Sequence, residues 1–337
     1  MQTNLRRVLL AGAAALAVAV FAARGLRAPA RAAPRVFRWP AMGTVAQLVV
    51  RGGGGERLRP AVQGVYERLD SLLSAWNPAS ELSRLSAAGC TNWLAAVSPE
   101  VRPCYAAALR LADESGGAFN PRVGKALRAL GVADGGAYAA FDLGAIAKGF
   151  AVDVAAQAVR RACAPGDPPA LLLDLGGNLR VVGEGTWRTG IRNPFDKEGP
   201  LVGVLALTNG ESVATSGNYE RFIERDGVRL SHILDGRTGA PAHGIAAVTV
   251  VTPREDGALL ADGLSTTLFV LGPDAGARLL ARRHPRAAAL WIPDTPAAPR
   301  ILATREMARR LADARWPLRT VDAPADGARQ RANFATR

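Results

Sequence analysis

Between Leu201 and Thr252 the chain reads as a succession of short strand-like runs with turn residues between them. The runs are Leu201–Leu207, Tyr219–Glu224, Arg229–Leu234 and Ala246–Thr252. Asp226-Gly227 adds a two-residue hairpin signal between the second and third. Strands joined this closely pair antiparallel, because a parallel pair needs a long crossover. Around this block lie helical patterns. Leu58, Val62, Val65, Leu69, Leu72, Leu73 and Trp76 recur at helical spacing. Ser98-Pro99 reads as an N-cap with proline at the first helical position, and Gly116-Gly117 stops that helix. Further helices are expected from about Ile146 to Arg161, near Ala258–Leu271 and Ala275–Arg283, and over Arg305–Ala314. Arg35–Trp39, Thr44–Arg51, Ala170–Asp174 and Ala287–Ile292 read as extended. Antiparallel strand runs mixed with helices specify an α+β fold and argue against a doubly wound sheet. No repeat and no linker divides the body, which gives one domain over 34–316. The tail, 317–337, is polar, rich in Pro and Ala, and expected to be loose.

The first 33 residues read as a targeting segment. Arg6 and Arg7 precede an unbroken apolar run, Val8 to Ala23, and Ala30-Arg31-Ala32 is a small-x-small cleavage pattern. The run is shorter than the ~20 residues that span a bilayer, and an uncleaved anchor is the alternative. The arginine pair is compatible with the twin-arginine route. The body is therefore expected in the periplasm or another extracytoplasmic space. The net charge of +13 does not signal nucleic acid. Its basic residues are almost all arginine, Arg6, Arg7, Arg24, Arg27 and Arg31 belong to the N-terminal segment, and no basic run with interleaved aromatics occurs. Cys90, Cys104 and Cys163 lack metal-ligand spacing. A Cys90–Cys104 disulfide is allowed in an oxidising compartment, and buried free thiols are the other reading.

Several common chemistries are excluded by wording. Gly124-Lys125 is not a P-loop, the glycines after Leu175 do not form G-x-G-x-x-G, and no nucleophile elbow or zinc-binding histidine pair is present. Four segments remain. Asp142-to-Asp153 places a carboxylate and small residues before a helix whose free N–H groups suit a phosphate, with Lys148 as an added charge; an ordinary Asp cap is the alternative. Val213-to-Gly217 reads as a turn in which Ser216 and Gly217 approach a ligand, or as a simple inter-strand turn. Ser231-to-Pro241 carries His232, an acid, base or phosphate donor, or a structural histidine. Ala261-to-Thr266 opens an apolar helix in which Asp262 and Thr266, four apart, share one face. Carboxylate and hydroxyl oxygens suit Mg²⁺ holding a diphosphate, although a capping Asp with back-bonded Ser265 and Thr266 would read the same.

The order and wording of these segments decide between the readings. Ala41-Met-Gly-Thr44, Trp76-to-Leu85, Gly117-to-Gly124, Asp142-to-Asp153, Asp174-to-Asn178, Thr215-to-Tyr219, His232-to-Pro241 and Ala261-to-Thr266 together resemble the FAD:protein FMN transferases of the ApbE type. The resemblance runs from about Phe37 to Leu311. It implies a single compact T-fold-like domain of mixed, largely antiparallel sheets with packed helices. It implies an enzyme that cleaves FAD with Mg²⁺, releases AMP and joins FMN through its phosphate to a threonine of a target flavoprotein. An FAD-binding or FAD-hydrolysing protein without an acceptor is the alternative. By similarity Met42, Trp76, Asp142, Lys148 and the Leu234 backbone contact FAD, and Asp262, Ser265, Thr266 and the Ala145 carbonyl hold the metal. His232 and Asp262 are the catalytic candidates. The chain departs from the family at Asn120-Pro-Arg-Val-Gly-Lys125, Leu130-Gly-Val132 and Gly236, where relatives carry Asp-Pro-Thr-Val-Gly-Pro, Trp-Gly-Phe and proline.

Overall fold

The computed structural model describes residues 33–130, 140–163, 169–219, 222–225 and 228–321. The expected targeting segment and Leu130-Gly-Val132 beyond Leu130 lie outside them, as do Asp226-Gly227 and the tail beyond residue 321.

Strands β1 (Arg35–Ala41) and β2 (Thr44–Val50) open the fold, followed by helix α1 (Gly55–Leu73). Helices α2 (Glu81–Ala87), α3 (Trp93–Ala96), α4 (Arg102–Glu114), α5 (Gly124–Ala129) and α6 (Ala147–Ala162) come next. Seven strands then run in succession: β3 (Leu171–Leu175), β4 (Asn178–Val182), β5 (Trp187–Ile191), β6 (Gly203–Leu207), β7 (Ser212–Gly217), β8 (Phe222–Arg225) and β9 (Val228–Ser231). The chain closes with β10 (Ile245–Thr252), α7 (Gly257–Arg283), β11 (Ala288–Pro293), β12 (Ile301–Ala303), α8 (Arg305–Arg310), β13 (Leu311–Ala312) and β14 (Leu318–Thr320).

Nine strands form one sheet in the order β1-β2-β3-β4-β7-β10-β11-β12-β14. Its described ladders are antiparallel except β12–β14, as turn-linked strands require. One face packs on α1, α4, α6 and α7 through Leu48, Leu173, Val248, Leu264 and Trp291. The other packs on the small sheet β13-β6-β5 and on α8 through Leu172, Val251, Trp187, Leu205 and Met307. Alternation along each strand feeds both cores, so the large sheet is the middle of three layers. No helix among the described residues is long and apolar enough to cross a membrane.

Local details differ from the sequence reading. Val213–Gly217 is no turn: it is the C-terminal part of central strand β7, laddered to β10 and β4. Its small and β-branched residues tolerate close neighbours on both sides, and paired backbone on each side outweighs any turn preference. Asn178–Val182 and Trp187–Ile191, unassigned from the sequence, are strands. Ser98 does not cap α4, because its N–H and hydroxyl go to Glu81 Oε1 at 3.0 and 3.3 Å, and the helix starts at Arg102. The last helix stops at Arg310, and Leu318–Thr320, placed in the tail by composition, adds a strand to the sheet edge. All three cysteines are free, so the Cys90–Cys104 bridge is not made; Cys104 is wholly buried.

Candidate active site

Two tight hairpins mark one end of the large sheet. Ala41 pairs with Thr44, and both residues between them, Met42 (φ 47°) and Gly43 (φ 69°), are left-handed. Leu175 pairs with Asn178 across Gly176 (φ 60°) and Gly177 (φ 87°). Two positive φ angles in a two-residue loop define the type I′ turn that matches strand twist. Glycine takes that conformation freely, whereas Met42 holds it at a cost of about 1–2 kcal/mol. Ala46 pairs with Leu175, so both turns share one end, and β7 carries Ser216 and Gly217 toward that end.

Helices α6 and α7 cross under this sheet and supply each other's caps. The residue at the N-cap of α6, Ile146, has no capping side chain, and Asp142 does not do the work either: its Oδ1 accepts from Gly144 N at 2.5 Å. The first amides of α6 instead meet Asp262 of α7, whose Oδ2 accepts from Gly149 N at 2.8 Å and which also takes the Lys148 N–H. Reciprocally, Asp153 of α6 accepts from Ala258 N and Leu259 N, both at 2.9 Å, at the start of α7. This closeness requires glycine at 149, where a Cβ would stand 2.2 Å from the Ala258 carbonyl and 2.7 Å from Asp262 Cβ.

The electrostatics of Asp262 follow from that position. It is 5% exposed, and burial pushes its carboxyl above the usual range. The Lys148 charge and the two amide donors pull the other way. Lys148 Nζ itself donates to the Gly144 carbonyl at 2.8 Å. Beside Asp262, Ser216 Oγ lies 2.8 Å from Ser265 Oγ and 3.1 Å from Thr266 Oγ1. Ser265 is wholly buried and donates back to the Asp262 carbonyl at 2.8 Å, whereas Thr266 is half-buried. Thr266 is therefore the most exposed of these three α7 residues, and its hydroxyl and that of Ser265 both meet Ser216 beside the buried Asp262.

A wall of three segments leads from this cluster. Asp142 N donates to the Pro121 carbonyl at 2.7 Å, and the preceding Phe141 is stacked on Trp93 with ring centroids 4.8 Å apart. Asn120 Nδ2 donates to the Gly236 carbonyl at 3.2 Å, and Gly236 N donates to the Ala118 carbonyl at 3.0 Å. A Cβ at 236 would meet Asn120 Cβ at 2.3 Å. Two of the departures from the family pattern, Asn120 and Gly236, thus touch each other, and a proline at 236 would lack the donated N–H. Leu234 bridges to Pro241, closing the turn in which Asp235 holds Arg237 through both oxygens at 2.8 and 2.6 Å. That pairing keeps the Asp235 carboxyl below the usual range. His232 is half-buried at the exit of β9. Trp76 stands on the loop after α1, 55% exposed.

The structure therefore brings Lys148, Ser216, Asp262, Ser265 and Thr266 together, with Ala145 in the irregular turn before α6. It places Met42 and Gly217 at the adjoining sheet end and Asp142 and Leu234 on the wall. Asp153 was missed by sequence reasoning, since the α7 amides it accepts from lie more than a hundred residues away and its ion-pair partner, Arg180, lies 27 residues on in another element; its only local signal was closing the Asp142 segment.

Comparison with known proteins bears on the family and the fold. A profile of the ApbE family matches residues 42–139 and 131–291. An FAD:protein FMN transferase of Rhodobacter capsulatus is 31% identical over 95% of this chain and 68% of its own length. One from Klebsiella pneumoniae is 30% identical over 81% of this chain and 89% of its own. The crystal structure of an ApbE protein from Thermotoga maritima superposes with a TM-score of 0.70 at 25% identity, covering 82% of this chain and 99% of that one. Matched along the greater part of its length, this chain belongs to the ApbE family, whose relatives named above are FAD:protein FMN transferases.

Proposed function

We propose that this chain is a Mg²⁺-dependent FAD:protein FMN transferase. It cleaves the FAD diphosphate, releases AMP, and attaches FMN through its phosphate to a threonine hydroxyl of a target flavoprotein. The observation that carries the reading is the juxtaposition of the Asp262/Thr266 face of α7 with the Lys148-bearing N-terminus of α6. The donor set fits a hard divalent cation: one buried carboxylate, hydroxyl oxygens and a backbone carbonyl. Among the described residues no cluster of three or more His, Cys, Asp or Glu forms, so Asp262 would be joined by hydroxyl and carbonyl oxygens as ligands.

Asp262, Thr266, Ser265 and the Ala145 carbonyl are the groups that would hold the cation. When bound, Mg²⁺ neutralises charge on the phosphate oxygens. Phosphoryl transfer needs positioning and charge stabilisation more than covalent help. Lys148 and the α6 amides supply fixed positive charge at the diphosphate. The flavin and adenine ends would be met by Asp142 and the Leu234 backbone on the wall, by Met42, Ser216 and Gly217 at the sheet end, and by Trp76. The acceptor threonine oxygen forms a bond to the FMN phosphorus as the bond to AMP oxygen breaks, and its proton passes to a base, for which His232 is the candidate. The pattern from Arg6 to Ala32 supports work in the periplasm or another extracytoplasmic space, with the segment either cleaved or kept as an inner-membrane anchor.

The test is incubation with FAD, Mg²⁺ and a threonine-bearing acceptor domain, followed by denaturation and a search for protein-bound flavin fluorescence. Labelled acceptor that disappears with chelator is the expected result. AMP release with no labelled protein would show a hydrolase instead, and failure to retain FAD would sink the reading altogether.

A further inference from the structure

We infer that Asp153 is a positioning residue for the metal-bearing face of α7, acting through the first turn of that helix without touching a ligand. This rests on the reading above, in which Asp262 and Thr266 carry a divalent cation.

Helix α7 does not cap itself. Its N-cap residue, Asp256, makes no side-chain cap and is held instead by Arg286 at 2.7 Å. The acceptor for the Ala258 and Leu259 amides is Asp153, on another helix. Ala258 and Asp262 are four residues apart, so what Asp153 grips is one turn above the metal-bearing carboxylate on the same face. Asp262 in turn grips Gly149, four residues before Asp153 on α6. The contacts close a ring: Asp153 to the start of α7, along one turn to Asp262, across to the start of α6, and back along one turn. Every side of the ring is regular helix or a charge-assisted hydrogen bond, so it has no soft member.

The ring is anchored to the sheet. Arg180 of β4, 6% exposed, donates through Nη1 to Asp153 Oδ1 at 2.5 Å and through Nη2 to the Arg254 carbonyl at 2.9 Å. The same guanidinium therefore fixes both the grip and the loop that leads into α7. Gly257 is left-handed (φ 72°), and a Cβ there would meet Asp153 Oδ2 at 2.5 Å and Arg180 Nη1 at 2.7 Å. Asp153 thus sets how far α7 slides along α6, and that offset is the separation of Asp262 and Thr266 from Ala145 and Lys148.

The experiment uses the folded chain without FAD and Mn²⁺ as the probe, reading bound metal from loss of the free-ion EPR signal. Asp153→Asn keeps the size and one acceptor of the aspartate but loses its charge. Outer-shell partners of metal ligands are typically worth tenfold or more in affinity, so the variant should bind Mn²⁺ about tenfold more weakly. Its metal-free circular dichroism should match wild type. A variant that melts earlier yet binds Mn²⁺ as wild type does would show a plain helix cap and overturn the inference. Should Asp153→Asn not fold, Arg180→Lys loosens the same grip and is read the same way. Wild type that binds no Mn²⁺, or Asp262→Asn that binds it undiminished, would sink the metal reading and this inference with it; loss of binding in Asp262→Asn with none in the Asp153 and Arg180 variants sinks the inference alone.

Discussion

Asp262 is taken out of water by folding and given two amide donors and a neighbouring ammonium in exchange. Burial still dominates, so its carboxyl binds protons more tightly folded than unfolded. A raised folded pKa means stability that is present at low pH and lost as pH rises through it. Asp262→Asn, which never ionises, should therefore gain on metal-free wild type as pH rises through and above the ordinary carboxylate range. Paired thermal melts check this, and a gap that narrows with pH would contradict it. Met42 makes a different case. Relief of its left-handed strain by Met42→Gly is worth about 1–2 kcal/mol, offset by about 0.4–1 kcal/mol of backbone entropy and by lost packing. Urea melts should show a change within about 1 kcal/mol, while KM for FAD rises severalfold. Of these residues, Asp262 and Thr266 were legible in the sequence because a four-residue spacing is a local fact. Asp153 was not, because nothing local says that a helix will be capped by its neighbour.

The meeting of α6 and α7 depends on the absence of one methyl group. Gly149→Ala places a carbon 2.2 Å from a backbone carbonyl that no rotamer change can move. Overpacking of this kind costs about 1–3 kcal/mol, and the helices must part to relieve it. Denaturant unfolding should report that loss, and flavin transfer should fall further than stability alone explains. The apolar period of α1 announced that helix in the sequence, α6 was expected at nearly its observed bounds, and α7 was expected as two helices that meet at the Gly272 break. Strand β7 was misread as a turn because its Val-Ala-Thr-Ser-Gly run is short and polar, and only its ladders with β4 and β10 make it a strand. Ser98 looked like a cap until Glu81, seventeen residues earlier, took its hydroxyl.

At the scale of the whole molecule, the nine-stranded sheet serves two cores, so neither can dissolve without exposing the other. A single unfolding transition is expected, with near- and far-ultraviolet dichroism coinciding on a urea titration. Cys104, wholly buried and with its thiol pushed up chiefly by burial, should resist a thiol reagent until that transition, when all three cysteines react. The α+β class followed from turn-linked strands beside helical periods. The three-layer arrangement did not, since the second core is built from β5, β6 and β13, whose partners only the folded chain assembles. Helix α7 belongs at once to the first core and to the site, and its course breaks at Gly272 (φ 70°), with Pro273 next and open space where a side chain would go. Because the screw of the helix is interrupted there, twist imposed on its far half by β11 or by mutation is not geared to the half that carries Asp262. The joint is a mechanical clutch: lengthening the chain by a residue or two between Gly272 and Pro273 should leave catalysis intact, where the same insertion between Ala258 and Asp262 should abolish it.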